Sequence, residues 1–252
     1  MTGLRLAQQT MPKSGLRADQ NQDRAGCRWA NDGNALRVAI ADGATQSHAP
    51  GLWADLLVAA YLDGRIDGHH RRDRLVKTFD QLALSWSGQT RDDLVGPWYR
   101  REHARLGSYA TLVGLTLAAE KNTWVWQALA IGDSVLVHVG RDGSLLRAFP
   151  LTRSAQFTMT PLLASTHHDG NDVWRGHRLR ATGVLRSGEA LWLATDAMGA
   201  WLLRAYEQGA RPARAIGAWL RSDRAFDHAV ERLRVEGQLV DDDTTLVAIR
   251  RP

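Results

Sequence analysis

The chain has 252 residues, 44% of them hydrophobic and 23% charged, and a formal net charge of +5. That is the composition of a globular protein long enough to bury a sizeable core, as one large domain or two small ones. The basic residues are scattered, and their densest cluster, His69-His70-Arg71-Arg72-Asp73-Arg74, is short and leads into a helical pattern, which argues against a nucleic-acid surface.

In chain order, residues 1–11 fit a first strand, with Leu4, Leu6 and Ala7 as its apolar positions. Residues 12–22 are polar and read as a loop. Residues 23–30 fit a strand, Asn31-Asp32-Gly33-Asn34 is a turn signal, and residues 36–41 are the hairpin partner. That partner runs through Val38 and Ile40 into Asp42-Gly43, so a buried strand delivers one carboxylate to a sheet edge. The period then changes to that of a helix, with Leu52, Trp53, Leu56, Leu57 and Ala60 on one face. Leu75, Val76, Phe79, Leu82 and Ala83 predict a second helix over 73–86. Residues 87–107 carry no clear pattern.

Strands resume over 110–119, 123–131, 135–139 and 145–151, with turns at Lys121-Asn122 and Arg141-Asp142-Gly143. His167 to Asp172 is a turn-rich loop. Further strands are expected over 179–184 and 189–195, the second ending on Asp196. Helices follow around 197–206, 213–220 and 223–235, and a last strand over 244–250 stands just after Asp241-Asp242-Asp243. Strands come in runs broken by two groups of helices. That predicts an α+β fold with antiparallel sheets and helices outside them. Among the ten tryptophans, Trp124, Trp126, Trp192 and Trp201 lie in apolar runs and are expected in the core.

The single cysteine, Cys27, excludes an internal disulfide and a thiolate metal site and fits a reducing compartment. No run approaches the ~18 apolar residues of a membrane span, and no apolar leader opens the chain, so a cytoplasmic protein without a membrane partner is expected. The pairs His69-His70 and His167-His168 are adjacent, so their rings diverge and they fit surface loops better than one metal site. Ser108 has no nucleophile-elbow frame, and no phosphate-binding Gly-Lys-Ser/Thr occurs.

Carboxylates at three strand ends would make an oxygen-rich site for hard divalent cations if those ends met in space. Six short motifs, in order, carry a resemblance: Asn21-Gln22-Asp23-Arg24, Ala41-Asp42-Gly43, Gly107-Ser108-Tyr109-Ala110-Thr111, Ala130-Ile131-Gly132-Asp133-Ser134, Thr195-Asp196 and Asp242-Asp243-Thr244-Thr245. Together they resemble the metal-dependent serine/threonine protein phosphatases of the PP2C (PPM) type, over nearly the whole chain from about Asn21 to Ile249.

The resemblance implies a four-layer αββα sandwich built as a single domain over residues 1–252. It also implies two Mn2+ or Mg2+ ions at one end of it. By the match Asp42 bridges both ions, the Gly43 carbonyl joins the second site, and Asp196 and Asp242 complete the first. Asp243, beside Asp242, is the alternative at that last position. Asp23 holds a metal-bound water, Asp133 joins Asp196 in a weaker third site, and Arg17 binds the phosphate. Hydrolysis of phosphoserine or phosphothreonine by a metal-activated water then needs no covalent phosphoenzyme. A phosphorylated protein is the implied substrate, a cognate kinase fits as partner, and a monomer is expected.

The chain departs from the pattern in four places. Gln22 stands where the family commonly has Glu. Residues Ala44-Thr45-Gln46-Ser47-His48 replace the stretch that supplies the usual general acid, leaving His48 as the nearest stand-in. Arg17 lies one residue further from Gln22 than the usual spacing. Ala197 replaces the glycine after the later aspartate. These departures keep open a second class of function, a catalytically inactive binding module on the same fold.

Overall fold

A computed structural model of the chain describes residues 3–30, 33–67, 72–95, 98–121, 123–157, 161–168, 171 and 179–252. Strands β1 (Arg5–Met11), β2 (Arg24–Trp29) and β3 (Ala35–Ala41) come first, then helices α1 (Pro50–Leu62), α2 (Arg72–Gln89) and α3 (Trp98–Arg105). Strands β4 (Tyr109–Ala110), β5 (Leu112–Glu120), β6 (Thr123–Ile131), β7 (Val135–Val139) and β8 (Leu145–Phe149) follow. The chain continues through β9 (Ala164–Ser165), β10 (Leu179–Leu185) and β11 (Ala190–Ala194). Helices α4 (Asp196–Glu207), α5 (Ala213–Trp219) and α6 (Asp223–Val235) lead to the last strand, β12 (Thr244–Arg250).

The strands form two five-stranded sheets, in the orders β1-β12-β11-β7-β8 and β10-β6-β5-β3-β2, with a small β4-β9 pair beside them. Every pairing is antiparallel. The period of two explains how they stack. On β3, Leu36, Val38 and Ile40 point into the core between the sheets, while Ala39 and Ala41 point to the core under α1 and α2. On β11, Leu191 and Leu193 face the inter-sheet core, whereas Trp192 and Ala194 face the core beneath α4 and α6. The inner strands β7, β11 and β12 are therefore buried on both faces, whereas the edge strands β1, β2 and β8 are partly exposed. Three hydrophobic layers separate four layers of secondary structure, the αββα sandwich expected from the sequence.

Helix α6 shows why the sequence puts helices on the outside. Phe226, Ala229, Val230 and Leu233 are its buried face, at the i, i+3, i+4, i+7 spacing, and the Ser222 hydroxyl caps its start by accepting from the Ala225 N–H at 3.3 Å.

Several expectations shift. The segment without a clear pattern contains a 3-10 turn over Arg91–Leu94 and helix α3. The strand expected over 110–119 is split at Thr111, whose N–H donates to the Asp42 carbonyl at 2.8 Å. The strand expected over 145–151 stops at Phe149, ahead of Pro150, which has no N–H to add to a ladder. Trp124, Trp126 and Trp192 are buried, but Trp201 is only partly so and packs on Trp219 with ring centroids 5.2 Å apart. Asn31 and Asp32 of the first turn, His69 to Arg71, Asn122, and the Asp169–Gly170 and Asp172 part of the turn-rich loop lie outside the described residues. Among the described residues no helix is long and apolar enough to cross a membrane.

Gly114 on β5 sets how closely α1 approaches its sheet: a Cβ there would stand 2.1 Å from the Tyr61 ring. The Tyr61 hydroxyl in turn meets the Thr116 hydroxyl at 3.0 Å. Gly114→Ala is expected to destabilise the fold by about 1–3 kcal/mol through overpacking, read as a lower denaturant midpoint with an unchanged slope; Gly88→Ala, where a Cβ meets nothing within 4 Å, should not lower it.

Candidate active site

Asp23 immediately precedes β2 and Asp42 immediately follows β3, and the pairing of Arg24 with Ala41 sets them side by side at one sheet end. In the other sheet Asp196 follows β11 and Asp242 and Asp243 precede β12, joined by the pairing of Ala194 with Leu246. Asp133 lies in the turn from β6 to β7, where the chain passes from one sheet to the other. The two ends meet: the Thr195 hydroxyl donates to Asp23 Oδ2 at 2.9 Å and accepts from the Thr245 N–H at 3.0 Å.

The charges report the same convergence. Burial, then repulsion from Asp23, Asp196, Asp133 and Asp242, holds the Asp42 carboxyl well above the usual carboxylate range. Asp23 is pushed up to about 8, mainly by burial, with Asp243 and Asp196 adding repulsion. Burial and Asp196 raise Asp133 to about 7, and burial raises Asp196 to about 6 with repulsion from Asp242 and Asp243 behind it. Asp23 Oδ1 is buried without a hydrogen-bond partner. A buried acceptor left without a donor is costly unless something outside the protein chain meets it. The donors gathered here are oxygens alone, a set suited to hard divalent cations. As they stand, no three His, Cys, Asp or Glu side chains among the described residues are gathered closely enough to hold a metal ion.

Small residues and hydroxyls fix the backbone that carries these groups. The Asp42 N–H donates to Thr111 Oγ1 at 3.0 Å, and that hydroxyl pairs with Ser134 at 2.6 Å. Gly43 is buried, and a Cβ on it would stand 2.8 Å from the Pro50 backbone, so only glycine lets α1 start this close to Asp42. Gly132 turns the chain into Asp133 with φ of 92°, a region that strains other residues. Asp196 is the first residue of α4, and its Oδ1 accepts from the Ala197 N–H at 2.5 Å. Ala197 is helical there, so the glycine it replaces is not needed for a special backbone angle.

Asp242 and Asp243 part company. Both Asp243 oxygens are engaged, Oδ1 by the Lys13 N–H at 2.8 Å and Oδ2 by the Gln22 N–H at 2.6 Å. Asp242 uses Oδ1 for the Asp243 N–H at 2.9 Å, and it is Asp242 whose charge repels Asp42. The Gln22 side chain is also occupied: Oε1 accepts from the Gly51 N–H at 2.8 Å and Nε2 donates to the Gln20 carbonyl at 2.7 Å.

Other predicted groups do not join the cluster. Arg17 is exposed, and its Nε and Nη2 reach the two oxygens of Asp19 at 3.0 Å each. The His48 ring packs edge-on against Trp86, with centroids 5.8 Å apart. His168 turns to Asp80 at 2.9 Å while His167 lies against Gly107, so the two rings diverge as expected. Sequence reading missed the tie made by Asp243 and the buried Arg234, which donates to the Pro12 carbonyl at 3.0 Å and the Asp242 carbonyl at 2.5 Å. The three adjacent aspartates were a legible hint of the first; nothing local marks the second.

No protein-family model and no curated protein matches the chain. Solved structures do. A serine/threonine phosphatase of S. agalactiae is 13% identical with a TM-score of 0.60, over 99% of this chain and 100% of that one. One from Mycobacterium tuberculosis is 17% identical with a TM-score of 0.56, over 98% of each chain. The catalytic domain of the phosphatase PstP in complex with two manganese ions is 18% identical with a TM-score of 0.53, over 98% of this chain and 97% of that one. The chain has the fold of these bacterial serine/threonine phosphatases from end to end.

Proposed function

We propose that this chain is a single-domain, metal-dependent protein phosphatase of the PP2C type acting on phosphoserine or phosphothreonine. The observation that carries the reading is that strand ends of both sheets bring Asp23, Asp42, Asp133, Asp196 and Asp242 to one end of the sandwich, near enough to repel one another, with a buried Asp23 oxygen that no protein donor meets. The likeness to a phosphatase domain solved with two manganese ions supports it. Asp42, the Gly43 carbonyl, Asp196 and Asp242 would hold the two principal Mn2+ or Mg2+ ions, and Asp133 with Asp196 a third. Asp243 is set aside as a ligand because its two oxygens already accept backbone N–H groups. The bound cations supply Lewis-acid charge and an activated water.

The remaining steps belong to the chain. Asp23 Oδ1 orients the attacking water, and the Thr195 hydroxyl on Oδ2 fixes the carboxyl plane. Arg17, freed from Asp19, pairs with the phosphate oxygens. Drawing the carboxylates together costs repulsion that cationic charge offsets. The substrate is a phosphorylated protein, with a cognate kinase as partner, and the setting is the cytoplasm. The packing of His48 on Trp86 favours a second reading, a binding module without turnover, because it holds the nearest stand-in for the usual general acid against an aromatic ring.

Mn2+-dependent hydrolysis of a small aryl phosphate is expected from the wild type and lost in Asp42→Ala and Asp196→Ala. Wild-type protein as inert as Asp42→Ala with both Mn2+ and Mg2+ would sink the enzyme; retained Mn2+ binding without turnover would favour the module.

Stability should follow the same charges. Carboxyls raised to about 6, 7 and 8 keep protons in the folded chain that the unfolded chain has released. Their contribution is therefore complete below the unfolded value near 4 and is lost as pH rises through the folded values. The metal-free Tm is expected to fall between about pH 5 and pH 8, and excess Mn2+ to raise it more at the higher pH. A metal-free Tm that climbs across that window would count against a carboxylate cluster under strain.

A further inference from the structure

We propose that Asp243 and Gln22 are positioning residues that hold the two halves of the carboxylate cluster at a set separation. The inference rests on the metal-dependent reading above. One sheet supplies Asp196 and Asp242, the other Asp23 and Asp42, and among the described residues the two sheets share no ladder hydrogen bonds. Something other than the backbone ladder must therefore fix their spacing at this end.

Asp243 leaves one sheet at the start of β12 and accepts the Gln22 N–H, one residue ahead of Asp23 in the other sheet, at 2.6 Å. Its second oxygen takes the Lys13 N–H at 2.8 Å and so closes the loop after β1. Asp243 is only 7% exposed and adds to the repulsion on Asp23 and Asp196. An asparagine would ease that repulsion. It would offer one acceptor to two N–H donors, however, and set its own amide hydrogens against the other. The carboxylate is explained by the two donors, not by the field.

Gln22 carries the tie onward. The residue at the start of α1, Ala49, has no side-chain acceptor, and Gln22 Oε1 supplies one to the Gly51 N–H at 2.8 Å. A Cβ on Gly51 would stand 2.8 Å from that oxygen, and a Cβ on Gly43 equally close to Pro50, so the fit is tight from Gln22 to the residue after Asp42. The path runs from β12 through Asp243, Gln22 and the first turn of α1 to Gly43. This gives the neutral amide a role that a metal ligand would not have: both ends of Gln22 are already bonded within the protein.

The test combines amide hydrogen exchange of the metal-free protein with calorimetric titration of Mn2+ alone. In Asp243→Asn the Lys13 and Gln22 amides are expected to exchange about 10-fold faster and the Mn2+ Kd to rise about 10-fold, as for loss of a residue that orients ligands. Gln22→Leu, which changes no charge, should also raise the Kd and expose the Gly51 amide. Ile249→Val, in the inter-sheet core about 20 Å along β12 from Asp243, should leave the Kd unchanged. Unchanged Lys13 and Gln22 exchange in Asp243→Asn, or a wild-type Kd in Gln22→Leu, overturns the proposal. A wild-type chain that binds no Mn2+ overturns the metal-dependent reading instead. The exchange rates then decide the tie by themselves: faster amides support it and unchanged amides defeat it.

Discussion

Mutual repulsion among buried and half-buried aspartates is the constraint that the rest of this end of the sandwich answers to. Neighbouring carboxylates repel one another, and burial adds a cost to each charge. Asp42 is repelled by Asp23, Asp196, Asp133 and Asp242. A chain that only folded would not gather them. The surrounding residues are chosen to hold the backbone against that repulsion: Thr111 and Ser134 behind Asp42, Thr195 across to Asp23, and Arg234 across the Pro12 and Asp242 carbonyls. None of the hydroxyls neutralises a carboxylate. They fix the backbone at Asp42 and, through Thr195, the Asp23 carboxyl, and bring no counter-charge to the cluster.

Charge is used differently a few ångströms away. Arg234 is almost wholly buried, yet its guanidinium bonds go largely to backbone carbonyls, with Asp241 3.5 Å from its Nε. Asp243 is buried too and is met by two N–H groups without a cation. Charged side chains here serve as multiple donors and acceptors for loops that have no ladder, because one guanidinium or carboxylate can close several backbone vacancies at once. That division separates Asp242 from Asp243, two neighbours alike in type and placed alike in the chain.

The architecture was legible because the inner strands are covered on both faces. The run 190–194 then has no polar side to blur it, only Arg37 interrupts 36–41, and the helices keep a clean face, as in α6. Asp42 and Asp196 were legible because each ends such a run. Helix α3 was not, since WYRREHAR shows no clear apolar face to the eye. The break at Thr111 was hidden because a threonine fits a strand; only the carbonyl of Asp42, distant in sequence, draws its N–H away. Arg17 was named from the resemblance alone, which cannot report that Asp19, two residues on, takes its guanidinium.

That last pair bears on how a phosphate could be bound. Both partners are fully exposed, so their attraction is screened and the guanidinium exchanges partners readily. Asp19 holds the fork by two hydrogen bonds at the surface. The proton needed by the leaving group is a separate matter. An aryl phosphate departs as a phenolate, stable near neutral pH, whereas a serine or threonine alkoxide must be protonated as it leaves. With the His48 ring packed on Trp86, a phosphatase built on this site would depend on its proton donor most with alkyl phosphates. The ratio of aryl to alkyl turnover, more than either rate alone, therefore measures what the unusual stretch after Gly43 has changed.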